Sequence, residues 1–179
     1  MNFRKVMSGI DPAPLLRQIE AHPELWNNDP SLRVDKAQTA LHAVDNITLR
    51  RIAPPAPGRP PFRNLEAFGV LDAAQKIVFD LMRAVPGDIL SQVLISRMAP
   101  GEVIEPHADT LPPGFPLTFH RYQVPLSVFP GVRFVCGGEE LYMRPGSAYW
   151  FDNQAEHSVV NNSSEDRLSM RVDLRPFSL

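Results

Sequence analysis

The chain has 179 residues, 44% hydrophobic and 21% charged, with a formal net charge of −2; this is enough to bury one sizeable core. Lys and Arg are scattered without a basic block, which argues against a nucleic-acid surface or an anionic-membrane anchor. The single cysteine, Cys136, excludes an intramolecular disulfide and a thiolate zinc site, and its apolar neighbours (VRFVC) make it a core residue.

In chain order, residues 1–16 carry Arg4, Lys5 and Asp11 but no apolar stretch of the signal-peptide kind, and no later segment is long enough to span a bilayer. A cytoplasmic protein is expected. Residues 14–22 read as a helix, with Leu15, Leu16 and Ile19 at helical spacing. Residues 53–61 (APPAPGRPP) suit neither a helix interior nor a central strand. They read as an exposed loop that closes an N-terminal helix/strand region, residues 1–63. Residues 71–85 form the stronger helix: Leu71, Ala74, Ile77, Val78, Leu81, Met82 and Val85 fall on one face, and Pro86-Gly87 ends it.

From residue 89 the pattern changes to short strands, expected at 90–98, 103–107, 122–129, 132–136, 140–143, 147–151, 157–161 and 168–174. Turn signals separate them, among them Pro100-Gly101, Pro130-Gly131, Gly137-Gly138, Pro145-Gly146 and Asn161-Asn162. The expected fold is mainly β with flanking α-helices: a double-stranded β-helix, or cupin-like jelly roll. Residues 64–179 would form its helix and jelly-roll core, and 1–179 a single domain.

The chemistry centres on His107-Ala108-Asp109, with His157 fifty residues later. Two imidazoles and one carboxylate make a facial triad that leaves open positions on an octahedral Fe(II). Residues two apart on a strand face the same way, and a later antiparallel strand can bring His157 alongside. A His-x-Asp tripeptide alone is weak, because five histidines are present; His22 and His42 lack partners at ligand spacing. Arg167 lies ten residues beyond His157. If the two residues start successive strands, a hairpin places both near one cavity, where a buried guanidinium requires an anion. A solvated Arg167 paired with Glu165 or Asp166 is the plain alternative. Residues 111–116 (LPPGFP) are either a lid or an ordinary turn. Arg133, Arg144 and Arg171 are further cations on expected strands, one of which would face a substrate carboxylate.

Residues 96–174 resemble the aspartyl/asparaginyl β-hydroxylase family of Fe(II)/2-oxoglutarate oxygenases, in the stretches SRMAPGEVIEPHADT, RYQVPLSV, GVRFVCGGEE and RPGSAYWFDNQAEHSVVNNSSEDRLSMRVDLRP. The resemblance implies that His107, Asp109 and His157 bind iron. It also implies that Arg167, assisted by the Ser96 hydroxyl, binds the distal carboxylate of 2-oxoglutarate, with Arg121 as a second arginine near the cosubstrate. The family pattern Arg-x-His stands here as Arg121-Tyr122-Gln123, in which Gln123 retains a hydrogen-bonding side chain. Trp26 and residues 42–49 (HAVDNITL) are similar to the variable substrate-side region of small bacterial members. The implied activity uses Fe(II), 2-oxoglutarate and O2 to hydroxylate a C–H bond, releasing succinate and CO2. The substrate would be an amino acid, an amino-acid-derived metabolite or an Asp/Asn-type residue of a short peptide. The alternative is a metal-binding cupin-like protein that does not use 2-oxoglutarate.

Overall fold

A computed structural model describes residues 1–30, 44–52, 61–85, 87–109, 119–175 and 177. The Pro-rich loop at 53–60, the LPPGFP segment and His42 lie outside the described residues. Eleven strands are present among the described residues: β1 (Phe3–Ser8), β2 (Asp45–Ile52), β3 (Phe62–Asn64), β4 (Ile89–Met98), β5 (Val103–His107), β6 (His120–Ser127), β7 (Val132–Cys136), β8 (Glu139–Leu141), β9 (Ser147–Phe151), β10 (His157–Asn161) and β11 (Arg167–Arg175). The α-helices described in full are α1 (Ala13–Ala21), α2 (Ala67–Val70) and α3 (Asp72–Ala84), with a 3-10 turn at Pro23–Leu25. No described helix is long and apolar enough to cross a membrane.

The strands form two antiparallel sheets. The larger has the order β1-β9-β6-β11-β4-β2-β3 and the smaller β5-β10-β7-β8. This is the expected jelly roll. Strand alternation gives the larger sheet two apolar or semi-polar faces. On β11, Met170, Val172 and Leu174 join Tyr122, Val124 and Leu126 of β6 and Ile47 and Leu49 of β2 in a core under the helices. α3 closes that core with Ala74, Ile77, Val78 and Leu81, the i, i+3, i+4, i+7 stripe that a surface helix buries. Its first turn is capped from outside, as the Ala73 amide donates to Gln18 Oε1 of α1 at 3.1 Å. The helix ends where Val85 turns extended, as the residue before a proline favours. A second core, with Phe134, Cys136 and Val159 of the smaller sheet and Met98, Tyr149 and Phe151 of the larger, fills the space between the sheets.

β10 and β11 belong to different sheets, so the expected hairpin does not form. The turn between them crosses from one layer to the other and is clamped by Asn161, which is fully buried. Its Nδ2 donates to the carbonyls of Met98 and Glu165, both at 2.9 Å, and its Oδ1 accepts from the Ser163 hydroxyl at 2.6 Å. Gly131 packs against this turn with φ +103°, and a Cβ there would meet the Asn162 carbonyl oxygen at 2.7 Å. His157 and Arg167 therefore face one another across the sandwich rather than along a ladder.

Candidate metal centre

His107 ends β5 and His157 begins β10, and the two residues are direct antiparallel partners. Their rings lie 4.3 Å apart between centroids. Each ring is oriented by its Nδ1, which meets the backbone carbonyl two residues earlier: Glu105 O at 2.7 Å for His107, Ala155 O at 3.0 Å for His157. An Nδ1–H donated to a carbonyl leaves the Nε2 lone pair free. Burial pulls the His157 pKa below its ordinary value, which favours the neutral, ligating form. Asp109 lies just beyond the end of β5, not on the strand. Its amide donates to Asn153 O at 2.9 Å, and its carboxylate comes within 4.0 Å of His107 Nε2 and 3.7 Å of His157 Nε2. One ligand atom from each of His107, Asp109 and His157 falls within 4.8 Å of the others, a grouping able to hold a metal ion. Two neutral imidazole nitrogens and a carboxylate oxygen fit a non-haem Fe(II) with open positions.

The Asp109 carboxylate is paired with Arg121 Nη1. Burial alone would raise its pKa, but Arg121, then Arg171 and His157, outweigh that and hold it below the usual carboxylate range. Arg121 also grips Asp173 through Nε and Nη2 at 2.9 and 3.0 Å. Burial opposes its charge, yet the two carboxylates raise its pKa above the ordinary arginine value.

The triad opens on a cavity of about 60 Å³ between the sheets. Its larger-sheet wall follows from alternation on β11, whose Arg167, Ser169 and Arg171 face inward while Leu168, Met170 and Val172 turn to the helices. In register across the sheet, Gln123 stands beside Arg171, and Ser96 stands between Ser169 and Asn46. Ile104, Phe134, Phe151 and Val159 supply the apolar remainder near the histidines.

All the residues singled out for the metal and cosubstrate, His107, Asp109, His157, Arg167, Ser96, Arg121 and Gln123, line this one cavity. Arg167 is 4% exposed, and the contact found for its guanidinium is the Met98 sulfur at 3.7 Å; it is not paired with Glu165 or Asp166. Burial pulls its pKa down to about 10, so it is charged at neutral pH. The Ser96 hydroxyl donates to Asn46 Oδ1 at 2.7 Å. Of the remaining cations, Arg171 faces the cavity, whereas Arg133 pairs with Glu140 in solvent and Arg144 is exposed. His120 points away and meets the Trp150 ring edge-on at 5.9 Å. Trp26 packs on the helix-side core beneath the Arg97 guanidinium. Asn46 was missed; the signal was the alternation of Asn46 and Thr48 with Ile47 and Leu49, which marks a strand with a polar inner face.

The model of the aspartyl/asparaginyl beta-hydroxylase family matches residues 74–176. The chain belongs to the aspartyl/asparaginyl β-hydroxylase family. The match spans α3 and every strand from β4 to β11, so it contains both sides of the cavity except for Asn46. Membership makes the chain a 2-oxoglutarate-dependent non-haem iron oxygenase, with Fe(II), 2-oxoglutarate and O2 as metal, cosubstrate and oxidant. No curated protein matches the sequence. Among solved structures, this β-hydroxylase-family chain is similar to the viral collagen prolyl hydroxylase of Paramecium bursaria Chlorella virus-1 in its 2-oxoglutarate complex. That match has TM-score 0.56 and 12% identity, over 99% of this chain and 97% of that one. A Pseudomonas putida prolyl-4-hydroxylase gives TM-score 0.51 and 16% identity over 99% and 94%. A 2OG-Fe(II) oxygenase-family oxidoreductase from Burkholderia pseudomallei gives 0.52 and 17% over 74% and 67%. At such identities the likeness is one of fold.

Proposed function

We propose that this chain, acting as one oxygenase domain in the cytoplasm, hydroxylates an aliphatic C–H bond of an amino acid, an amino-acid-derived metabolite or an Asp/Asn-type peptide residue. His107, Asp109 and His157 would hold Fe(II), and Arg167 would anchor 2-oxoglutarate by its distal carboxylate. When bound, the metal, 2-oxoglutarate and O2 supply the oxidising chemistry, with succinate and CO2 released.

The observation that carries the cosubstrate assignment is Arg167. A guanidinium buried against a thioether, with no carboxylate beside it among the described residues, is a costly arrangement unless a ligand brings the counter-charge. A carboxylate end-on to Arg167 makes the charge-assisted, bidentate pair that this geometry lacks. Ser96 and Ser169 lie in the next row of the wall, where their hydroxyls meet a ligand held at Arg167. Ser96 already spends its proton on Asn46, so it offers lone pairs unless the Asn46 amide turns over. Gln123 would hold the metal-side end of the cosubstrate through its amide.

The other roles belong to the shell around the metal. The carbonyls of Glu105 and Ala155 fix both imidazoles, and Asn153 and Arg121 fix Asp109. The aromatic rings of Phe134 and Phe151, packed on His157 at 6.3 and 5.1 Å between centroids, shield the cavity from bulk water.

The test is anaerobic addition of Fe(II), then 2-oxoglutarate, while watching for the weak visible charge-transfer band of the chelate. The band is expected in the wild type and absent in Asp109→Ala, and it should require far more 2-oxoglutarate in Arg167→Ala. Its absence from the wild type with metal bound would favour a metal-binding cupin-like protein that does not use 2-oxoglutarate.

A further inference from the structure

The cavity holds more positive charge than the cosubstrate reading uses. Its walls and immediate backing contain Arg121, Arg167 and Arg171 against Asp109 and Asp173. Among the described residues, these three cations and two anions leave one net positive charge. A divalent metal adds two, and a dicarboxylate removes two, so the loaded site still carries about one positive charge.

The side chain responsible is identifiable. Arg121 is saturated by Asp173 and Asp109. Arg167 is committed to the distal carboxylate in the reading above, on which this inference rests. Arg171 remains. Its side chain is 14% exposed, and Nη2 donates to Gln92 Oε1 at 2.5 Å. Its Nε is buried without a hydrogen-bond partner, and the nearest carboxylate oxygen, on Asp173, is 3.7 Å away. Burial, and then the neighbouring Arg121, pull its pKa down to about 10, so the fixed groups around it do not fully compensate its charge. It stands four residues from Arg167 on an extended strand, about 13 Å apart at Cα, so the two guanidinium groups have separate anchor points. Beside it, the buried Oε1 of Gln123 also lacks a partner.

We propose that Arg171 is the specificity-determining residue of this oxygenase and that it binds a carboxylate of the substrate. Two sources supply that group: the α-carboxylate of a free amino acid, or the side-chain carboxylate of an aspartyl residue within a peptide. Neutral substrates would leave the buried Arg171 Nε without a hydrogen-bond acceptor and its charge only partly compensated, and are rejected for that reason.

The test uses the full chain, anaerobic and loaded with Fe(II) and 2-oxoglutarate. The probes are the free L-amino acids, their C-terminal amides, and aspartyl and asparaginyl residues blocked at both ends. Binding is read from perturbation of the chelate band and from NMR line broadening of the probe. At least one acid should bind, and its amide counterpart about thirtyfold or more weakly. Binding of the free-acid set alone points to an α-carboxylate, and binding of blocked aspartate to a side-chain carboxylate. Arg171→Gln should weaken the same acid by a similar factor while the 2-oxoglutarate midpoint of the band stays unchanged. The acid-against-amide comparison on the wild type stands even if that variant folds poorly. Indifference to every acid, equal binding of acids and amides, or a parallel loss of 2-oxoglutarate in Arg171→Gln would overturn the proposal; the last would assign Arg171 to the cosubstrate. A wild type that forms no chelate band counts against the cosubstrate assignment itself, and the inference falls with it.

Discussion

Arg121 and Asp173 are direct cross-strand partners on β6 and β11, and their side chains form a two-pronged ion pair of 2.9 and 3.0 Å inside the sandwich. The free Nη1 of the same guanidinium reaches Asp109, so the pair forms a rigid base beneath one candidate metal ligand. Removing either partner leaves a buried charge. Arg121→Met and Asp173→Asn are each expected to destabilise the fold by about 3–5 kcal/mol. The double variant should lose less than the sum, with a coupling above about 1.5 kcal/mol. Chemical denaturation of the four proteins checks this, and additive losses would contradict it.

If Arg167 anchors 2-oxoglutarate as proposed, Arg167→Ala removes one side of a buried charge pair in that complex. The expected loss of cosubstrate affinity is about 2–5 kcal/mol, with Fe(II) affinity nearly unchanged. Titration of the chelate band and a separate metal-binding assay give the two numbers. An equal fall in both would mean a damaged fold.

His157→Ala removes an imidazole already oriented by Ala155 O. Changing a residue that merely supports a ligand typically weakens metal binding by about 10–100-fold, so loss of the ligand itself should exceed that range. Circular dichroism should show an intact sheet fold. Unaltered Fe(II) affinity would remove His157 from the metal site.

Asn161→Ala strips the clamp from the β10–β11 crossing and leaves the Met98 and Glu165 carbonyls without their side-chain donor. An unsatisfied buried group costs about 1–3 kcal/mol, so a loss of roughly 2–4 kcal/mol is expected. Because this turn sets Arg167 opposite His157, 2-oxoglutarate binding should weaken more than metal binding.

Cys136 is fully buried. Burial first, then the charges of Asp152 and Glu139, push its thiol pKa up to about 11. A raised pKa leaves only about one thiol in a thousand ionised at pH 8, and that fraction grows tenfold per pH unit up to about 11. Alkylation of the native protein at pH 8 should therefore proceed no faster than unfolding and become rapid in denaturant. Fast labelling of the folded chain would contradict the buried placement.

Much of this architecture was legible in the sequence, for a physical reason. From residue 89 onward the strands are bounded by Pro and Gly turns and alternate in polarity, so β5, β7, β9 and β10 end where expected. β1 was missed: it is an edge strand paired with β9 alone, and its Arg4 and Lys5 are exposed, so one side of its pattern is set by solvent. β2 carried a readable alternation but was not among the expected strands; its Asn46 lines the cavity. Proximity along the chain misled once: Arg167 follows His157 by a turn yet lies in the other sheet. Which of the spare arginines enters the cavity was in principle decidable, because Arg171 shares the parity of Arg167 on β11.

That parity separates two kinds of change along a single stretch of chain. Odd-numbered positions 167 to 173 of β11 line the cavity or its ion pair, and even-numbered positions 168 to 174 meet the helix-side core. A combinatorial library confined to positions 169 and 171, with 123 on the neighbouring strand, would sample new ligand preferences while the hydrophobic seal behind the wall stays untouched. Deleting one residue within β11 would do the reverse, turning arginines into the core and leucines toward the metal.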